Sequence, residues 1–236
     1  MGLAQAVYSA LQEKHVLISL NDSAAMAPLA ELGWTGAVQP GDGDSLMVVD
    51  TNVGWNKVNS LVERSTVYEI TPRADGSAEA MLELTYRHQG TQTDQPCVHE
   101  PRYGDTYADM AQRCYFNYLR VFVPEGARLL AAEGVRPDTA STLPGENGTT
   151  ILTGYIELPP GQTGQVRLRY ELPAGTVAND SYHLRLQKQP GTPGWPVTVV
   201  LHDSTGSWMP GDSAAKRTNK GCLLYTSDAA DERSSV

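Results

Sequence analysis

Cys97 and Cys114 bracket a polar stretch that carries His99, Glu100, Arg102, Tyr103, Asp105 and Tyr107. Three chemistries are open to such a stretch. Outside the cytoplasm the two cysteines would close it as a disulfide, worth on the order of 3 kcal/mol for a loop of about this length in the chain-entropy model. A metal centre would instead recruit Cys97, His99 and Cys114, with Glu100 or Asp105 as fourth ligand. The spacing matches no strong zinc pattern, and no Cys-x-x-Cys pair is present. Two free thiols are the third reading.

Asp50, Asn52 and Asn56 around Gly54 partly echo an oxygen-ligand calcium loop, but Lys57 stands where the series needs a bidentate Glu. A loop held by Asx-type hydrogen bonds, with Trp55 packed against the fold, explains the same residues more simply. Tyr103, Tyr107, Tyr115 and Tyr118, with Arg102 and Arg113, could offer flat faces and donors to a sugar. The candidate ligand contacts are Tyr103, Tyr107, Arg102 and Trp55. No Gly-x-Ser-x-Gly elbow, phosphate-binding loop or His-Glu-x-x-His helix occurs. His202, Asp203 and Ser204 are sequence neighbours that would alternate faces on a strand and so cannot form a relay. His15, His88 and His183 fall at positions that read as solvated faces or strand ends. No catalytic residue, resident metal or cofactor is assigned.

The 236 residues are 40% hydrophobic, with 22 Gly and 15 Pro, a turn-rich but globular composition able to bury a core. Eighteen Lys and Arg against 27 Asp and Glu give a formal charge of −9, with no basic cluster to track a phosphate backbone, so nucleic acid is not an expected partner. No apolar run approaches the ~18 residues that cross a bilayer.

The elements that must position these residues are mainly strands. Ala78, Ala80, Leu82, Leu84 and Tyr86 alternate with polar residues, a half-buried strand, and Asp75-Gly76 joins it to the β-branched run Leu61 to Ile70 as a hairpin. Phe116 to Val123 follows. Ile151 to Leu158 and a strand carrying Val166, Leu168, Tyr170 and Leu172 read as a second hairpin across Pro159-Pro-Gly-Gln-Thr163. Tyr182, Leu184 and Leu186, then Val197 to Leu201, complete seven or eight short strands. This pattern predicts an antiparallel, immunoglobulin-like β-sandwich over residues 58–210. Before it, an amphipathic helix with Leu3, Val7 and Leu11, a strand His15 to Leu20, a helix Ser23 to Leu32 capped by Asp22 and Gly33, and a strand Leu46 to Asp50 read as the remnant of a larger α/β region, residues 1–57.

The run Leu46-Met-Val-Val-Asp-Thr-Asn-Val-Gly-Trp-Asn-Lys57, the alternating Glu63-Arg-Ser-Thr-Val-Tyr68, Asn117-Tyr-Leu-Arg-Val-Phe-Val-Pro-Glu-Gly126 and Gln187-Lys-Gln-Pro-Gly-Thr-Pro-Gly194 together resemble the C-terminal part of the bacterial family called domain of unknown function 4012. The resemblance spans most of residues 15–205. It implies an extracytoplasmic protein whose parent is anchored in the cell membrane by an N-terminal helix not included here, and it brings no established activity. The expected role is structural or interactive, with cell-wall glycan or envelope proteins as partners. The alternatives are an accessory domain of a cell-envelope polymer-processing enzyme and a carbohydrate-binding module. Residues 211–236 read as an unstructured linker and tail, of which 222–236 resemble the conceptual translation of a transposase-type sequencing-library adapter.

Overall fold

The computed structural model describes residues 2–101, 106–178, 181–202, 216–218 and 222–228. Two sheets enclose one apolar core. The first contains β1 (Asp44–Asn52), β4 (Tyr115–Pro124), β6 (Ser141–Pro144), β7 (Thr149–Leu158), β10 (Ser181–Gln187), β12 (Lys216–Thr218) and β13 (Cys222–Asp228), in the order β12-β13-β10-β1-β4-β7-β6, with β9 (Val177–Ala178) beside β10. The second contains β2 (Val62–Pro72), β3 (Ala78–His88), β5 (Arg128–Glu133), β8 (Thr163–Leu172) and β11 (Val197–Leu201), ordered β11-β2-β3-β8-β5. The alternation read in the sequence faces inward as expected: Ala78, Ala80, Leu82, Leu84 and Tyr86 of β3 pack with Leu168 and Tyr170 of β8, Leu119 and Val121 of β4, and Leu152 of β7. Glu83, Arg167, Arg128 and Glu171 form exposed ion pairs on the opposite face of the second sheet. Such pairs mainly solvate that face.

The mainly β sandwich is therefore the architecture, with two refinements. β1 runs parallel to β10 and β11 runs parallel to β2, so neither sheet is purely antiparallel. The β2–β3 hairpin forms as expected, its turn closed by Asp75, whose carboxylate accepts from the Ser77 amide and hydroxyl. The second expected hairpin does not form: β7 pairs with β4 and β6 whereas β8 pairs with β3 and β5, so Pro159–Gln162 carries the chain from one sheet to the other. Gly161 permits that crossing, with φ +74° and a position where a Cβ would lie 2.8 Å from the Gln92 amide nitrogen. Period-two alternation is the same for a hairpin and for an arch between sheets, because both send every second side chain to the core.

The proposed boundary at residue 57 also fails. β1 sits inside the first sheet between β10 and β4, so residues 44–52 belong to the sandwich and residues 2–57 contain no second strand with which to build an α/β unit. The stretch His15 to Leu20 is irregular, tied to its surroundings by the Ile18 amide donating to the Trp34 carbonyl. The two helices do form. α1 (Leu3–Gln12) buries Leu11 and leaves Leu3 and Val7 exposed; α2 (Ser23–Glu31) is capped by the Asp22 carboxylate accepting from the Ala24 amide. β5, β6 and a short helix α3 (Tyr107–Ala111), the last with a Thr106/Asp109 capping box, were not foreseen. Nor is the tail without structure throughout: Cys222–Asp228 lies antiparallel along β10.

Candidate functional site

Two clusters of polar groups gather near the end of β1. At the first, the Cys97–Cys114 disulfide holds its Cα atoms 5.7 Å apart and ties the insertion to the start of β4. Both thiols are consumed by that bond, which removes the ligands that a metal centre would need. The neighbouring loop is held by its own asparagines. Asn52 accepts from the Gly54 amide at 2.9 Å and donates to the side-chain oxygens of Asn56 and Asn59 at 2.7 and 2.6 Å, while Asn56 donates to the Cys114 carbonyl at 2.9 Å. These Asx bonds engage the oxygens that a calcium ion would use, and Asp50 points into the interior instead. Gly54 is required here, because a Cβ would lie 2.9 Å from the Phe116 ring.

Trp55, at φ +49°, is not packed against the core as expected: it is 52% exposed and lies over His99, with ring centroids 4.9 Å apart. His99 stacks in turn on Phe116 at 4.6 Å, and its Nε2 meets the Val53 carbonyl at 2.9 Å. Tyr107 is exposed on α3, whereas Arg102 and Tyr103 lie outside the described residues. A cleft of about 510 Å³ opens beside the disulfide between Gln92, Val98, Gln112 and Pro160. The structure thus brings Trp55, His99 and the disulfide together at one rim.

At the other polar centre stands Asp50, 6% exposed, on the inner face of β1. Its carboxylate accepts from Arg64 of β2, from the Tyr86 hydroxyl at 2.8 Å and from the Asn117 amide at 2.6 Å. The Gln189 side chain completes the strand edge: its Oε1 accepts from the Asp50 amide at 3.0 Å and its Nε2 donates to the Asp50 carbonyl at 2.9 Å. The Arg64 guanidinium lies 4.3 Å from the ring centre of Trp195, whose Nε1 donates to Thr66 Oγ1 at 2.9 Å. These groups floor a cleft of about 840 Å³ between β2 and the loop 189–196. None of them stood among the expected site residues, except that Asp50 had been weighed as a calcium ligand.

Two further buried groups were also missed. Asp44 begins β1 fully buried, accepting from the hydroxyls of Tyr68 at 2.6 Å and Tyr182 and from the Ser45 amide, with Tyr170 donating to Tyr68. Burial pushes its carboxyl up to about 6, against the opposing hydrogen bonds. Burial likewise raises the phenols of Tyr68, Tyr170 and Tyr182. His88, expected at a solvated position, is 2% exposed on the inner face of β3. Its Nδ1 accepts from the Gly90 amide, so Nε2 carries the proton and donates to the Arg113 carbonyl, both at 2.9 Å. Burial holds its pKa below the usual histidine value, against the Arg113 carbonyl. His202 meets Glu69 at 3.0 Å; Asp203 and Ser204 lie outside the described residues. A carboxylate at an inward-facing position of a strand was the available signal for Asp44 and Asp50.

No protein-family model matches the chain, and no curated protein does so either. Among solved structures it is similar to a candidate nutrient-binding protein of Legionella pneumophila, at 9% identity and a TM-score of 0.41, over 79% of this chain and 66% of that one. The M1 zinc metallopeptidase of Deinococcus radiodurans is matched at 10% identity and a TM-score of 0.24, over 75% and 42% of the two chains. A candidate protease of Parabacteroides distasonis is matched at 12% identity and 0.29, over 72% and 41%. The chain spans less than two thirds of each of these proteins, and at these values none of them assigns it a site or an activity.

Proposed function

We propose that this chain is an extracytoplasmic, non-catalytic β-sandwich region of a membrane-anchored bacterial cell-envelope protein, acting in structure or interaction. The observation that supports the reading is the Cys97–Cys114 disulfide, a bond that persists in oxidising compartments and here fastens a polar insertion to the rim of a rigid sandwich. Thiol trapping in the producing bacterium tests it. A maleimide that cannot cross the inner membrane, applied after reduction of intact spheroplasts, is expected to label Cys97 and Cys114, and external protease to cleave the chain. Labelling of both cysteines only after lysis, with no prior reduction needed, would overturn the compartment.

Trp55 favours a second reading, a carbohydrate-binding module, because a half-exposed indole braced from behind by His99 presents a flat face to a sugar ring. Soluble cell-wall glycans are then expected to quench Trp fluorescence and raise Tm, and Trp55→Ala to abolish both responses. A flat response across a broad glycan panel would remove this reading and leave the first intact.

A further inference from the structure

The cleft beside Arg64 lies along an unfinished sheet edge. In an antiparallel ladder, alternate residues turn both their N–H and C=O to the same side. The Leu61 carbonyl accepts from the Gln89 amide, so odd-numbered residues of β2 face β3; the Thr66 amide donates to the Pro196 carbonyl and the Ile70 carbonyl accepts from the His202 amide, so even-numbered residues face outward. β11 covers that outward edge from Thr66 to Ile70. One step earlier, the parallel ladder would need an N–H from residue 196 to reach the Arg64 carbonyl. Residue 196 is proline, which has none, and the chain leaves the edge there.

The Arg64 N–H and C=O and the Val62 C=O are consequently without a protein partner among the described residues, while the Val62 N–H is used by the Asn59 carbonyl. They border the 840 Å³ cleft. Its far wall is held in place rather than loose: the Gly191 amide donates to the Lys14 carbonyl at 2.9 Å, Thr192 Oγ1 to the Gln189 carbonyl at 2.9 Å, and Lys188 Nζ to the Thr192 carbonyl at 2.5 Å. Arg64 itself is immobilised between Asp50 and Trp195. Glu63 and Arg87 bring one charge of each sign to the lining, which suits an occupant recognised by its main chain rather than by net charge.

We propose that this cleft takes an extended segment of a partner protein, which adds to β2 at Val62–Arg64 in line with β11 and sets a side chain against Trp195. Strand addition to an open edge uses the partner's peptide groups for affinity and pockets for selectivity. The proposal rests on the interaction role above and gives it a location.

A phage-displayed library of random linear peptides, panned on the folded chain, provides the probe. Enriched peptides are synthesised and measured by fluorescence anisotropy. N-methylation at alternate backbone positions is expected to weaken binding about tenfold per site, the effect of one lost main-chain hydrogen bond, with little effect at intervening positions. Bound peptide is expected to slow hydrogen exchange at the Arg64 amide. Gly194→Trp, at a position where an added Cβ meets no atom within 4 Å, should fill the cleft and abolish binding without lowering Tm. No enrichment, a flat N-methyl scan, or undiminished binding to Gly194→Trp would each overturn the proposal. Peptides that survive Gly194→Trp would leave the interaction role standing elsewhere on the surface, whereas a cytoplasmic result from the maleimide test would leave this edge untouched.

Discussion

The same strand buries a carboxylate at each end of its inner face, and the two are stabilised in opposite ways. Asp50 meets a guanidinium, a phenol and an amide; Asp44, six residues earlier, meets two phenol hydroxyls and a backbone amide and has no cation among its hydrogen-bond partners. At Asp50 the Arg64 guanidinium lies against the carboxylate, and the pair lines an open cleft. At Asp44 burial outweighs the opposing hydrogen bonds from Tyr182, Tyr68 and the Ser45 amide, so the proton is held more tightly. The lesson is that a buried acid is not one kind of feature: one here is held by a cation, the other by hydroxyls and an amide alone.

Breaking the ion pair should have the largest effect. Arg64→Met keeps an unbranched side chain beside Trp195 but leaves Asp50 buried without its counter-charge, a change that typically costs about 3–5 kcal/mol. Urea unfolding at neutral pH is expected to show that loss. A shift below about 1 kcal/mol would mean that Tyr86 and Asn117 suffice, and that the two ends of β1 differ less than their partners suggest.

The Asp44 end should respond to pH instead. A rise from 3.8 to about 6 means that the folded state keeps a proton which the unfolded chain has already lost, so stability falls as pH rises. The contribution is fully present below about 3.8 and gone above about 6, worth about 3 kcal/mol at 1.36 kcal/mol per pH unit. His88 acts in the other direction: its depressed pKa makes protonation unfavourable in the fold, so its contribution is lost as pH falls below the ordinary histidine range. The two are separated by Asp44→Asn, which should remove the decline between pH 4 and 6 and leave the histidine slope. An unchanged profile in that variant would assign the titration to another group.

These two centres also mark how far the amino-acid sequence could be read. The inward sets of β3 and β8 were legible because apolar residues at every second position leave one choice of face, and the Asp75-Gly76 turn fixed the hairpin that joins β2 to β3. Asp22 and Gly33 likewise marked the ends of α2. What failed was long-range. The alternation of β7 and β8 does not state which sheet each joins, and β1 looked like part of another unit because its partners, β4 and β10, lie far along the chain. Of the candidate site, the disulfide was legible. His88 was unreadable for a specific reason: a titratable residue on an inward position is read as a solvated face or strand end unless its distant partner, the Arg113 carbonyl, is already known, and Arg64, inside the run Leu61 to Ile70, gives no sign that its partner is Asp50 of another strand.

A finer test of the Asp44 end is Tyr68→Phe. It removes the 2.6 Å bond to the carboxylate and the acceptor of Tyr170, at an expected cost of about 1–3 kcal/mol. The cost should be greater at pH 7 than at pH 4, because a phenol donor favours the ionised carboxylate, and the window of declining stability should move upward from about 6. Equal cost at both pH values would show that the hydroxyl serves Tyr170 alone.

The smallest effect sharpens the contrast from the Asp50 end. Trp195→Phe keeps a ring over Arg64 but weakens its electrostatic attraction and loses the 2.9 Å bond to Thr66, together worth about 1 kcal/mol at a half-buried position. Because neither lost contact touches Asp44, this loss should be the same at pH 4 and at pH 7, unlike that of Tyr68→Phe. Denaturation midpoints measured in parallel for the two variants check the difference. A Trp195→Phe penalty that grew with pH would mean that the two carboxylates communicate through the core, and that β1 carries one coupled polar network rather than two independent ones.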